Sequence, residues 1–351
     1  MYWQRKIGQS LLVLMGVVTL VFLLFFVVMP ADPARLTLGQ RSDAATLENT
    51  RKELYLDQPL GKQYLLYIND LLPIAVHDAT EEAAIKYNYT ILLPLGKEQA
   101  LVFKAPYLRR SYQSKKLVNS LIAESFPGTL LLAGLAMLIA TVLGITLGTL
   151  AAWKQHTWID TSAIMGSVIG ISAPSFFAGI LMAYVFGFLL HDITGLSIIS
   201  PLWEYDPFTG KHLVWKSLIL PVCTLAVRPL AIIVQITRSS LLDVMKMDFM
   251  RTAKAKGLNE KQVILRHGLR NALNPVITSV SGWLAELLAG SFFIEYIFGW
   301  KGLGKLTVDA LNKFDFPVVM GSVLFTACLF IIINLGVDVL YRKVDPRIRL
   351  E

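Results

Sequence analysis

The chain has 351 residues, of which 54% are hydrophobic and 17% charged, whereas soluble domains carry about a quarter charged residues. With a mean hydropathy of +0.55, this excludes an ordinary soluble globular protein and implies an all-α polytopic membrane protein. The formal net charge of +8 is not a signature of nucleic-acid binding here, because membrane proteins concentrate Lys and Arg in their cytoplasmic loops. The two cysteines, Cys223 and Cys328, fall in apolar runs, so no disulfide framework or cysteine metal site is expected.

In chain order, the first apolar run follows Arg5 and Lys6 and is uncharged from Ile7 to Met29. It is longer than the apolar part of a signal peptide and is not followed by a small-x-small cleavage site, so residues 1–29 read as a retained N-terminal membrane helix. Residues 30–118 are polar, with twelve Lys or Arg against ten Asp or Glu. Within them "TLENTRKELYLDQPLGKQYLLYINDLLP" is helix-like with a break at Pro59, and "KYNYTILLPLGKEQALVFKAP" reads as two β-rich runs around a Pro-Leu-Gly turn. This region is either a solvated loop or a folded cap.

Five further apolar runs follow, at about 125–152, 163–190, 217–238, 275–295 and 317–341, each near the ~20 residues of a spanning helix. Six spans place both termini on one side. The loops on the side of the termini hold fifteen Lys or Arg in 62 residues, against five in 48 for the short opposite loops. Both termini, including the tail 342–351, are therefore expected in the cytoplasm, with 30–118 outside. Residues 119–341 form a core of five spans. Gly144 with Gly148, and Gly166 with Gly170, have the small-xxx-small spacing of close helix packing, and Pro174 is expected to kink the third span.

Catalytic chemistry is not evident. His77, His156, His191, His212 and His267 are scattered over five segments, so neither catalysis nor a metal site is expected, and no cofactor. "GWKGLGKLT" approaches a phosphate-binding loop through Gly299, Gly304 and Lys305, but Leu306 stands where a magnesium-binding Ser or Thr is needed. Arg228, Glu286 and Asp338 lie inside apolar runs. Each is either paired or near an interface, or it lines a polar passage; Arg228 and Glu286 are the candidates for a pathway, and Asp338 reads as structural.

The loop 239–274 is strongly basic, and with Arg238 it carries eight Lys or Arg against Asp243, Asp248 and Glu260. Asp248 can cap a helix through "FMRTAKAK", which Gly257 can end in the left-handed conformation. Asn259 with Gln262 forms a capping-box pattern, and Leu258 with Val263 a hydrophobic staple, for a second helix running to Pro275. Anionic membrane lipid would attract the charge. The caps and the Gly elbow point instead to a structured lever pressed against a partner protein.

"DFMRTAKAKGLNEKQVILRHGLRNALNPVI" resembles the cytoplasmic loop of binding-protein-dependent ABC import permeases, in the variant of the dipeptide, oligopeptide and nickel group. Arg251 and Thr252 replace the Glu and first Ala of the general pattern, and His267 and Arg270 depart from it, while Ala253, Gly257 and Leu269 keep it. "ADPARLTLGQ", "RKELYLDQPLGKQYL", "SFPGTLLLAGLAMLIATVLGITLGTLAA", "EYIFGWKGLGKLTVDAL" and "NLGVDVLYRKVDPRIR" resemble the first, B-type permease of the pair in the same group. Residues about 72–104 look like an insertion relative to shorter members.

The resemblance implies a non-enzymatic transporter subunit in the bacterial inner membrane. Its implied partners are a second homologous permease, two cytoplasmic ABC ATPases that hydrolyse ATP, and an external binding protein or lipoprotein. It also implies an ATPase-coupling surface at Arg251, Thr252, Ala253, Lys254, Ala255, Gly257 and Leu258. Peptides or similar small solutes are the expected cargo; dipeptides, oligopeptides, nickel chelates and peptide antibiotics are not separated by sequence. The rival reading is a non-transporting scaffold or sensor with the same fold.

Overall fold

The computed structural model describes residues 2–28, 48, 51–52, 55–96, 98–199, 202–206 and 210–344. They divide into two compact units, one within residues 3–124 and 306–327 and the other chiefly within 125–305 and 328–344.

The first unit is built on helix α1 (Tyr2–Phe22), which continues as a π-helical segment Leu23–Val28. Val18, Val21 and Phe22 of this helix pack with Tyr67, Met320 and Leu324, and Thr19 shares a 2.6 Å hydroxyl contact with Tyr64. Tyr64 and Tyr67 belong to α2 (Leu60–Leu71), which begins at Pro59 as expected. The region 72–104 is folded: β1 (Ile74–Asp78), α3 (Glu81–Tyr87), β2 (Thr90–Leu95) and β3 (Gln99–Phe103) make an antiparallel sheet of order β1-β3-β2. The β2–β3 hairpin is the pair of β-rich runs seen in sequence; β1 was not foreseen.

Behind this sheet lies a charged and aromatic cluster. Buried Asp70 accepts from Tyr87 Oη at 3.0 Å and has Arg109 Nε at 3.9 Å. Lys104 Nζ donates to the Asp70 carbonyl, and the His77 ring stacks on Tyr87 at 4.1 Å between centroids. Burial pushes the His77 imidazole down to about 4 and the Lys104 ammonium down to about 8, since each loses solvation of its charged form.

The second unit is helical apart from the hairpin β4 (Trp203–Asp206) and β5 (Gly210–Leu213). The all-α expectation thus holds for the apolar helices and fails for the polar segments in both units. Helix α4 (Val118–Trp153) begins in the first unit and enters the second; α5 (Trp158–Ser172) and α6 (Ser175–Tyr184, extended by a π segment to Leu189) follow. Pro174 does more than kink the chain. Ala173 is extended, as a residue before proline prefers, and the two helices diverge by 105°.

The central helix is α7 (Ile219–Met245). A Cβ on Gly144 would lie 2.7 Å from Ile233 Cγ2, one on Gly148 2.7 Å from the Val234 carbonyl, and one on Gly170 3.1 Å from Ala231 Cβ. Both α4 and α5 therefore pack on α7 through glycine. Gly166 differs from expectation, because nothing lies within 4 Å of it.

After the basic loop, α9 (Glu260–Gln262) passes through a π segment, Val263–Gly268, directly into α10 (Leu269–Gly290). Pro275 lies inside that helix rather than opening a new span, contrary to the sequence expectation. Short helices α11 (Phe292–Ile297) and α12 (Leu303–Asn312) precede α13 (Phe316–Val344).

Among the described residues, four helices are long and apolar enough to cross a membrane: Gln4–Val28, Val118–Trp153, Trp215–Met245 and Phe316–Val339. The bent pair 158–189 makes a fifth when its two halves are counted as one span. Helix α10 does not reach that apolarity, since Arg270, Asn271, Asn274, Ser281 and Glu286 interrupt it. The chain is thus a multi-pass membrane protein with four or five spans by length and composition among the described residues, against the six expected from sequence.

Candidate functional site

The basic loop is a packed structure. Helix α8 (Asp248–Ala255) starts after Met247, whose extended backbone takes the N-cap position without a side-chain bond. Asp248 is thus the first helical residue rather than the cap. It still favours the helix start through its charge, and its carbonyl accepts from Thr252 Oγ1 at 3.1 Å. Gly257 adopts φ +81° and ends the helix as expected. Asn259 Oδ1 then accepts the Gln262 amide at 2.8 Å and caps α9.

Met250 and Ala253 point inward with Leu241, Val244, Val263, Ile264, Ala272 and Ala152, and Leu258 packs on this cluster. Gly268 lets α8 sit close, since a Cβ there would lie 3.1 Å from Met250 Cε. Of the seven residues expected to dock, Arg251, Thr252, Lys254, Ala255 and Gly257 are exposed; Ala253 is buried and Leu258 half-buried, so these two hold the helix down. Exposed Met247 and Phe249, which sequence reasoning missed, line a hollow of about 510 Å³ with Val244 and Asn271. The signal was two apolar side chains flanking Asp248 where a solvated loop would be polar.

The same end of the unit is braced by buried Asp160. Its carboxylate takes the Arg238 fork in bidentate fashion, with Nη2 at 2.8 Å, and accepts the His156 amide at 3.1 Å. Bidentate charged contacts of this kind fix orientation as well as adding stability. They tie the start of α5 to α7.

Arg228 and Glu286 come together on one cleft. It measures about 270 Å³ and is lined by Pro174, Ser175, Phe176, Trp283 and Phe293 along with the two charged residues. Both charged side chains are exposed on the surface of the unit. The Arg228 guanidinium lies over the Trp283 ring, 5.6 Å from its centroid. Asp338 is half-buried on α13 and does not line this cleft.

The glycine-rich stretch that resembled a phosphate loop does bind an anion, but one of the chain's own. Glu295 is fully buried and its Oε2 accepts the amides of Gly304, at 2.7 Å, and Lys305, at 3.1 Å, at the start of α12. Its Oε1 accepts from Ser291 Oγ at 2.5 Å and Thr129 Oγ1 at 2.7 Å. A Cβ on Gly302 would lie 2.3 Å from Glu295 Oε2, so the glycine is required for the approach. Among the described residues, no group of three His, Cys, Asp or Glu is placed to hold a metal.

Comparison with known proteins gives the family of the chain. Residues 144–350 match the family "Binding-protein-dependent transport system inner membrane component", and residues 1–82 match the N-terminal region of the membrane component of such systems. A glutathione transport system permease protein of Escherichia coli K12 is 35% identical over 335 residues, covering 95% of this chain and 94% of the relative. A putative peptide transport system permease protein of Brucella abortus (strain 2308) is 36% identical over 349 residues, 99% of this chain and 98% of the relative. An inward-facing structure of the MetNI methionine ABC transporter shares the fold at TM-score 0.52 and 17% identity, covering 65% of this chain and 97% of that one. The chain therefore belongs to the family of binding-protein-dependent transport system inner membrane components, and is a permease subunit of an ABC importer rather than an enzyme.

Proposed function

We propose that this subunit forms half of a membrane pathway for short peptides, glutathione-like peptides included, and is driven through the loop around Gly257. The relatives named for glutathione and peptide transport support the cargo class. The carrying observation is the placement of Arg228 and Glu286. Two ionisable side chains on helices of the apolar core stand exposed on one cleft, and a charge against lipid at mid-membrane costs about 2.5–3.5 kcal/mol on insertion scales. A face carrying both belongs against a second, homologous permease, with a polar passage between the two.

At the other end, Arg251, Thr252, Lys254 and Ala255 form the exposed face of α8, and Met247 and Phe249 offer apolar anchors beside it. Aromatic and Met side chains amid Arg are what protein interfaces enrich. In this reading each permease docks one of two cytoplasmic ATPases there, and a binding protein or lipoprotein delivers cargo from the opposite side of the bacterial inner membrane. The charge bias of the loops supports cytoplasmic termini, and six spans follow if α10 crosses beside the partner, its polar residues facing the passage. Basic side chains near the surface also favour anionic lipid.

The test is reconstitution of the permease pair, ATPases and binding protein in vesicles. ATP-dependent accumulation of a radiolabelled dipeptide is expected. Accumulation without any ATPase would overturn the coupling role, and assembly of all partners with no flux would mark a scaffold instead.

A further inference from the structure

We propose that the cleft between α7 and α10 is a recognition site for the two termini of a zwitterionic peptide, with Arg228 receiving the carboxylate and Glu286 the ammonium group. This rests on the permease reading above and adds a binding site to it.

Opposite charges facing one cleft attract and can close on each other as an ion pair. Here they do not. Among the described residues, neither Arg228 nor Glu286 takes part in an ion pair; Arg228 is held against the Trp283 ring at 5.6 Å, and Glu286 stands exposed on the same cleft. A permanent cation and a carboxylate kept apart on one cleft leave a complementary dipole for a ligand with the reverse pair. An arginine fork suits a carboxylate in particular.

The walls fit the remainder of such a ligand. Trp283, Phe176 and Phe293 supply apolar surface for side chains, and Ser175 supplies a hydroxyl. Apolar walls with a few placed polar groups are the usual composition of small-molecule sites. The volume of about 270 Å³ lies just under the roughly 300–1,000 Å³ of such sites. That suits a peptide of two or three residues better than a long one. A weak site of this type lets cargo rest with its ends oriented and still leave.

The experiment is saturation-transfer NMR on the purified complex of both permeases and the ATPases, without the binding protein, so that the latter's selectivity does not enter. The probes are Ala-Ala, N-acetyl-Ala-Ala and Ala-Ala amide. Wild-type complex is expected to bind Ala-Ala more tightly than either blocked form. Glu286→Gln should weaken Ala-Ala and the amide by roughly tenfold, the scale of one charged hydrogen bond, while leaving N-acetyl-Ala-Ala unchanged. Arg228→Gln should weaken Ala-Ala and N-acetyl-Ala-Ala and leave the amide unchanged.

Equal affinity of the wild type for the three probes, no binding at all, or equal loss for all three in either variant would overturn the proposal. If a neutral variant does not assemble, the wild-type ranking decides, with Glu286→Asp and Arg228→Lys expected to preserve it. Dipeptide accumulation in vesicles separates the two readings. Uptake without the ranking removes only this site, whereas absence of uptake removes the peptide-permease reading and the site with it.

Discussion

The Glu295 carboxylate sits 2.7 Å from the Gly304 amide, turning the first turn of α12 into an anion site filled by the chain itself. Helix N-termini carry unsatisfied amides and favour negative charge, and Thr129 closes the arrangement by donating to Glu295 and accepting the Leu303 amide at 2.8 Å. One carboxylate thereby joins α4, α11 and α12. Glu295→Ala should leave these donors buried and unsatisfied, at about 1–3 kcal/mol for each group. Glu295→Gln should be milder, since one oxygen remains to face the Gly304 and Lys305 amides. Gly304→Ala is also expected to destabilise, because its Cβ would lie 2.5 Å from Phe292 Cα. Thermal unfolding of the purified complex checks the order; a Glu295→Ala protein as stable as wild type would refute it.

Gly257 at φ +81° makes a second prediction. Nothing lies within 4 Å of a Cβ built on it, so Gly257→Ala meets no clash, and its cost is the left-handed backbone alone, about 1–2 kcal/mol. If α8 transmits motion from an ATPase, re-aiming it should lower peptide uptake several-fold per ATP hydrolysed while the complex still assembles. Measured uptake-to-hydrolysis ratios equal to wild type would show that the elbow angle does not matter.

The Asp160–Arg238 pair lies near the same loop, and hydrogen bonds to charged groups contribute about 1.5–3 kcal/mol each. Asp160→Asn keeps the shape but removes the charge and one acceptor, and a loss of that order is expected. Arg238→Lys should lose nearly as much, because a single ammonium cannot reproduce the fork. Chemical denaturation of the detergent-solubilised complex reads both. A Lys variant indistinguishable from wild type would show that the bidentate geometry contributes little.

Much of this was legible in sequence where local physics decides the outcome. The apolar runs, the Asn259 cap, the left-handed Gly257 and the hairpin over 90–103 each follow from neighbours within a few residues. What escaped depended on partners far along the chain. "GWKGLGKLT" approaches a phosphate-loop pattern that Leu306 breaks, and nothing local reveals that Thr129 and Glu295 make its amides an internal anion site. Pro275 suggested a helix start because proline favours the first turn, yet the helix runs through it from the loop. Strand β1 was missed because "IAVHD" is short and places a histidine on its buried face. For the cleft, sequence named Arg228 and Glu286 but not Trp283, whose role is visible only once α10 lies beside α7.

The insertion offers a titration test. His77 is buried behind the sheet, stacked on Tyr87, and its imidazole is held down to about 4, against about 6.5 when unfolded. The folded form then binds fewer protons than the unfolded form between these values, so stability rises with pH across that window. The neutral ring's contribution is fully present above about pH 6.5 and is lost progressively as the pH falls toward 4. Amide exchange in β1 and β3 of the intact complex should therefore speed up as pH is lowered through this range, after correction for intrinsic exchange rates. His77→Phe keeps the stacking without the titrating nitrogens and should flatten the dependence. An unchanged pH slope in that variant would assign the effect to Asp70 or to other carboxylates instead.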